Sequence, residues 1–390
     1  MHLANFTKNL SGQKMFQILA EAKKLESEGK DIIHLEIGDP NFNTPKNVIN
    51  AAKLALDNGH THYVQSSGIP ELKEACREIT FLSRGFRPKD SQILVTSGAN
   101  IQIYLSVLAL LNPGEEVIIP NPSFVSYASI IKACRGIPIE VPLNEEDSFK
   151  VDPEKIRSLI TTKTKAIIIN SPNNPTGSVL TETQVRKIYE IAEEFELILI
   201  SDEVYGRMIF SDSKSGFHSP STYDQCSIRT ILVHSLSKTY AMTGWRIGAV
   251  TGPENIISKM SLLYETITSC TAPFIQYGAI EAMLNSNHDT YLMISKYQDR
   301  RDLIVDGLND IEGISCLKPE GTFYAFANIK RLGITSEKFS MDLLNKGYVA
   351  SCPGVFFGSN GEGFVRFCFA NSLENIQAAL IRIKSFVNNL

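Results

Sequence analysis

Seven short apolar runs constrain the fold of this chain more tightly than any other feature. They are "QILV" before Thr96, "EVIIP" ending at Pro120, "IPIEV" from Ile137, "AIIIN" ending at Asn170, "LILIS" ending at Ser201, "TILVH" ending at His234 and "IGAVTG" from Ile247. As a group they lack the regular apolar–polar alternation of a strand with one wet face, so they read as strands covered on both sides in a largely parallel sheet. Helical patterns lie between several of them, such as "TETQVRKIYEIAEEF" after Leu180. The expectation is an α/β chain.

A long helical pattern from Gln276 to Leu308, interrupted around "NSNH", leads into a different texture. There "GISCLKPEGTFYAFANI", a helical "EKFSMDLLNKG", a short strand at "YVAS" and "GFVRFCFA" precede a final helix. Strand and helix mix as in an α+β unit. The predicted organisation is a large domain over 46–279 and a smaller α+β domain from 280–390 joined by 1–45. A chain of 390 residues that is 43% apolar can bury two such cores.

Composition narrows the ligand. Thirty-eight Lys and Arg are scattered among 42 Asp and Glu, for a net charge of -4, which leaves no electrostatic footprint for nucleic acid or an anionic membrane. The seven cysteines are spread out, with no C-x-x-C pair, as suits a reducing compartment. The start "MHLANFTKNLSG" lacks the apolar stretch of a leader, and "IQIYLSVLALL" is too short to span a bilayer. A cytoplasmic protein with a small-molecule ligand is expected.

In open α/β sheets ligands bind beyond the carboxyl ends of the strands. The segments at the ends of these runs are unusually polar: "TSGAN", "NPSFVSY", "SPNNPTG", "DEVYG" and "SLSKTYAMTGWR". Each has an ordinary reading as a turn, a helix cap or, for Phe124 and Tyr127, core. His60 and His62 in "GHTHY" read as a solvated loop. Lys238 is harder to dismiss, because the residues around it, "VHSLS" and "TYAMTGW", hold no acid or base except His234. A helix start that can take phosphate, an aromatic face, an asparagine, a buried acid and an isolated lysine at the strand ends of one sheet together fit pyridoxal phosphate. That cofactor needs an amine, an acid for its ring nitrogen, a stacking partner and a phosphate site.

From "EIGDPNFNTP" at Glu36 to "GFVRFCFA", nearly the whole chain resembles the class I/II, fold-type I pyridoxal-phosphate aminotransferases. The resemblance implies a mainly parallel seven-stranded sheet in the large domain. It makes Lys238 the Schiff-base lysine and proton shuttle, Asp202 the partner of the ring nitrogen, and Asn174 and Tyr205 the partners of the phenolic oxygen. Phe124 takes the stacking position. Ser235, Ser237 and Arg246 hold the phosphate together with Gly98, Ala99 and Asn100, while Arg366 and Gly38 take the substrate α-carboxylate. Tyr63 matches a tyrosine that reaches the phosphate of a neighbouring subunit, which implies a homodimer with shared sites. Amino acids and keto acids are the implied substrates.

Two matters stay open on the residues alone. Aspartate-type members carry a lysine where this chain has Asn100, and Lys14 is a candidate substitute for reading a distal anion, with a slight lean towards a phosphorylated substrate. The same site also serves decarboxylases of small amino acids resembling threonine-phosphate decarboxylases, which leaves that reaction as the alternative.

Overall fold

The computed structural model of the chain describes Thr7, Gly12 and residues 14–390. Most of "MHLANFTKNLSG", where a leader would stand, lies outside these residues. No helix among the described residues is long and apolar enough to cross a membrane.

Thirteen strands form along the described chain: β1 (Ile33–His34), β2 (Ile93–Thr96), β3 (Glu116–Asn121), β4 (Ile137–Pro142), β5 (Thr164–Asn170), β6 (Ile198–Asp202), β7 (Thr230–Ser235), β8 (Gly248–Thr251), β9 (Ser315–Cys316), β10 (Tyr324–Asn328), β11 (Val349–Ala350), β12 (Cys352–Pro353) and β13 (Phe364–Cys368). All seven apolar runs become strands of one sheet, ordered β2, β8, β7, β6, β5, β3, β4. Only β8 runs against its neighbours. The run "IPIEV" differs from the others. As β4 it lies at the sheet's open edge with Ile137 and Glu140 exposed, and this is the one run that Glu140 interrupts with a charge.

The helices form for local chemical reasons. Thr181 and Gln184 exchange hydrogen bonds at the start of Glu182–Glu194, a capping box that fixes where "TETQVRKIYEIAEE" begins. The helix Ala99–Leu110 is apolar all round because it packs on β7 and β8 and under other helices, so it has no wet face to mark. The long pattern breaks where expected, into Pro273–Asn285 and Asn287–Asn309 around Ser286. In the C-terminal part β12, β13, β10 and β9 form a second, antiparallel sheet, while β1 pairs with β11. That pairing brings residues 36–39, just beyond β1, alongside β13.

Candidate active site

The carboxyl ends of β2, β3, β5, β6 and β7 point to one edge of the sheet, where they meet residues 37–38 and Arg366 of β13 around a cavity of about 310 Å³. Of the residues singled out in the sequence, Gly38, Ala99, Asn100, Phe124, Asn174, Asp202, Tyr205, Ser235, Ser237, Lys238, Arg246 and Arg366 line it.

At one end, Ser235 caps the short helix Leu236–Thr239 by accepting from the Ser237 amide at 3.2 Å, and its hydroxyl donates to the Ser237 hydroxyl at 2.9 Å. Arg246 donates to the Thr243 carbonyl at 2.9 Å. Gly98 sits behind it in the left-handed region (φ 88°), and a Cβ there would come within 2.5 Å of Arg246 Nη2. Only glycine lets this guanidinium lie against the start of the helix Ala99–Leu110. Serine hydroxyls, a guanidinium and a helix start are the groups that suit a phosphate.

At the other end, Asp202 closes β6. Its Oδ2 accepts from Tyr127 Oη at 2.5 Å and its Oδ1 from the Val204 amide at 3.1 Å. Burial raises its carboxyl to about 6, and these two hydrogen bonds hold it from rising further. A cationic ring nitrogen beside it would pull that value down. Asn170 accepts from the Asn174 amide at 2.9 Å and donates to the Asp202 carbonyl at 3.0 Å, which links the two strand ends.

Lys238 enters between them, with Nζ donating to the Gly38 carbonyl at 2.5 Å. Burial lowers its ammonium to about 8, opposed by Asp39 and aided by Arg366 and Arg246. Arg366 is 1% exposed. Its Nη1 donates to Asn174 Oδ1 at 3.0 Å and its Nη2 to the Glu36 carbonyl at 2.6 Å, while Nε has no partner. Among the described residues none of Lys238, Arg246 and Arg366 pairs with a carboxylate. Three unpaired cations around one acid suit a ligand that brings its own negative charge. The amine, acid, aromatic face and phosphate-suited groups fit pyridoxal phosphate, and the orphaned Arg366 fits a carboxylate beside it.

Three expected residues do not line this cavity: Gly98, which lies behind Arg246, and Lys14 and Tyr63. The Lys14 ammonium lies 4.0 Å from Glu337 and 5.1 Å above the Phe356 ring, facing a separate surface cavity behind Phe124. Its neighbours Met15 and Phe16 turn into the active-site cavity instead, so the lysine is carried to the other side of the chain. Lys14 is thus not among the residues that line the active-site cavity. Tyr63 is 86% exposed and lines a different, open cleft with Glu265 and Ser269.

Sequence reading missed Tyr324 and gave Tyr127 only a core role. Tyr127 is core and also a partner of Asp202. Tyr324 carried no signal beyond an aromatic in a strand.

Comparison with known proteins agrees with this geometry. The family model described as aminotransferase class I and II matches residues 30–383. An aspartate aminotransferase of Pyrococcus horikoshii is 41% identical over 373 residues, covering 95% of this chain and 93% of the relative. Aromatic-amino-acid aminotransferase 2 of Thermococcus litoralis is 40% identical over 357 residues, covering 90% and 91%. Among solved structures, the aspartate aminotransferase of Thermus thermophilus with maleate superposes with a TM-score of 0.94 at 32% identity, covering 99% and 100%.

Proposed function

The chain belongs to the class I and II aminotransferase family and is a pyridoxal-phosphate-dependent aminotransferase, and on that basis we propose that its amino-acid substrate carries an uncharged side chain. The observation that carries this reading is the inventory of cations in the cavity. Lys238, Arg246 and Arg366 are the only Lys or Arg side chains among its described lining residues, and each already has a task. The remaining wall near the mouth is Met15, Phe16 and Ile37, and Asn100 stands where aspartate-type members carry lysine. An apolar subsite gains from burying an apolar or aromatic side chain and leaves a second carboxylate unpaired. The decarboxylase alternative finds no support among the relatives named above, which are all called aminotransferases.

In this reading each residue has one physical task. Pyridoxal phosphate, when bound, would supply a carbonyl for the substrate amine and a ring that serves as an electron sink. Arg246, Ser235 and Ser237, with the amides at Ala99 and Asn100, hold the phosphate. Asp202, kept in place by Tyr127 and the Val204 amide, holds a proton on the ring nitrogen. Phe124 stacks on the ring. Asn174 and Tyr205 orient it through its phenolic oxygen, and Arg366 fixes the α-carboxylate, which places the Cα proton within reach of Lys238. Lys238 Nζ, as a neutral amine, would accept that proton and hold it for return, and its lowered affinity for protons suits both tasks.

The substrate test is a single-turnover series. Phenylalanine, alanine, aspartate or phosphoserine is mixed with loaded enzyme in the absence of keto acid, and the loss of the visible band is followed. Phenylalanine is expected to exceed aspartate and phosphoserine by roughly 10- to 100-fold in rate over Kd, the effect of one missing charged hydrogen bond. Lys14→Ala is expected to change every substrate by less than about twofold, as befits an exposed ion pair. Aspartate as the fastest substrate, or a selective loss with phosphoserine in Lys14→Ala, would overturn the reading.

We further propose a cytoplasmic homodimer whose second copy covers Tyr63. The support is the exposed Leu262 and Ile267 on the helix Glu254–Thr268, which also supplies Glu265 to that cleft. Light scattering at micromolar concentration is expected to give the mass of two chains, and a monomer would contradict the shared site.

A further inference from the structure

Tyr324 is 1% exposed, lines the cavity and is held between the groups assigned to cofactor and substrate. It lies on β10 beside β13, where Phe326 opposes Arg366 and Tyr324 opposes Cys368, so Tyr324 and Arg366 are diagonal neighbours on one face. The Arg366 guanidinium lies 4.3 Å from the Tyr324 ring centroid. The Tyr324 hydroxyl reaches Tyr205 Oη at 2.9 Å, and no other hydrogen bond to either hydroxyl is found among the described residues. Gly38 has given up its side chain to this phenol: a Cβ there would fall 1.8 Å from Tyr324 Oη.

We propose that Tyr324 is a positioning residue for the reaction, its hydroxyl donating to Tyr205 and its ring seating Arg366. A hydroxyl has one hydrogen. If Tyr205 is to donate to an acceptor in the cavity, its hydrogen must point there and its lone pair must accept, and Tyr324 is the group placed to donate to it. A donor that is itself accepting is polarised and donates more strongly. The ring meanwhile packs against the guanidinium at 4.3 Å and restrains it, so that the edge bearing the unpartnered Nε is held without a carboxylate. One side chain therefore sets two orientations, that of the phenolic-oxygen partner and that of the carboxylate fork.

This inference rests on the roles proposed above for Tyr205 and Arg366, and its test separates the two layers. The loaded enzyme is titrated through its visible band in wild type, Tyr205→Phe and Tyr324→Phe. A hydrogen bond to the phenolic oxygen favours the form in which the linked nitrogen is unprotonated, so weakening it moves the midpoint to higher pH. Tyr205→Phe is expected to raise the midpoint by about 1 to 2 pH units, the loss of one hydrogen bond to a charged group. Tyr324→Phe is expected to raise it by about 0.1 to 0.6 unit, the share that polarisation by a neighbouring bond contributes, with KM for the amino acid unchanged. Tyr324→Leu is expected to give the same shift and also raise KM at least about fivefold, because the nearer of the two rings against Arg366 is gone. A merely structural phenol would move none of these at constant fold. If Tyr205→Phe shifts the midpoint and Tyr324→Phe does not, the relay is wrong and the role of Tyr205 stands. If neither shifts, both fall. An unchanged KM in Tyr324→Leu removes the ring from the account of Arg366.

Discussion

Lys238→Ala is expected to lower turnover by at least about ten-thousand-fold, since it removes both the amine that holds the cofactor covalently and the base that moves the Cα proton. The protein should still fold and still take up cofactor, because the phosphate cradle and Asp202 do not depend on the lysine. Among the described residues its ammonium donates a hydrogen bond only to the Gly38 carbonyl and lies 5.8 Å from the Phe323 ring centroid. The same group gives a pH signature in wild type. With an ammonium lowered to about 8 by burial, the neutral fraction of Lys238 grows roughly tenfold per pH unit up to that value and then saturates. Capture of pyridoxal phosphate by enzyme stripped of cofactor should therefore accelerate from about pH 6.5 and level off above about 8. A capture rate that continues to rise to about pH 10 would mean an ordinary exposed lysine.

The second large effect is expected at Arg366. Arg366→Lys should raise KM for the amino acid and lower kcat/KM by about 100- to 10,000-fold, while the visible band and the affinity for cofactor stay near wild type. The magnitude reflects two charged hydrogen bonds to a carboxylate replaced by one flexible point charge. The split reflects geometry. The guanidinium is bonded to Asn174 and the Glu36 carbonyl and lies against Tyr324 and Phe357, away from the Ser235–Arg246 cradle. If the variant loses cofactor and substrate binding in parallel, the arginine is a structural member of the pocket and the carboxylate belongs elsewhere. Steady-state kinetics with equilibrium dialysis of the cofactor distinguishes the two.

Much of this was legible in the chain because it is written in short-range chemistry. Buried parallel strands must be apolar along their length, so all seven strands of the large sheet announced themselves. The order of those strands did not. Nothing in "IGAVTG" says that β8 runs against its neighbours, because direction depends on how the connecting segments pass over the sheet. The break around Ser286 was likewise readable, being a property of a few adjacent residues.

The site divides the same way. Lys238 stood out by the absence of charge around it, and Arg246, Asp202 and Asn174 by falling where parallel strands end. Tyr324 could not be seen: its importance lies in contacts with Tyr205, 119 positions away, and with the missing side chain of Gly38. Tyr127 looked like core and is core, yet its one polar atom is spent on Asp202. Where the Lys14 side chain lies could not be read from the sequence, because proximity to Met15 and Phe16 says nothing about direction. One residue separates a side chain that faces the cavity from one that faces Glu337.

The central claim is that one lysine of this chain carries the cofactor. Reducing the loaded enzyme with borohydride fixes the cofactor to whichever amine holds it, and peptide mass spectrometry then locates the label. The expected result is one pyridoxyl phosphate per chain, confined to the peptide containing Lys238 and absent when Lys238→Ala is treated in the same way. A label distributed over surface lysines, or one that persists at another position in the variant, would contradict the account.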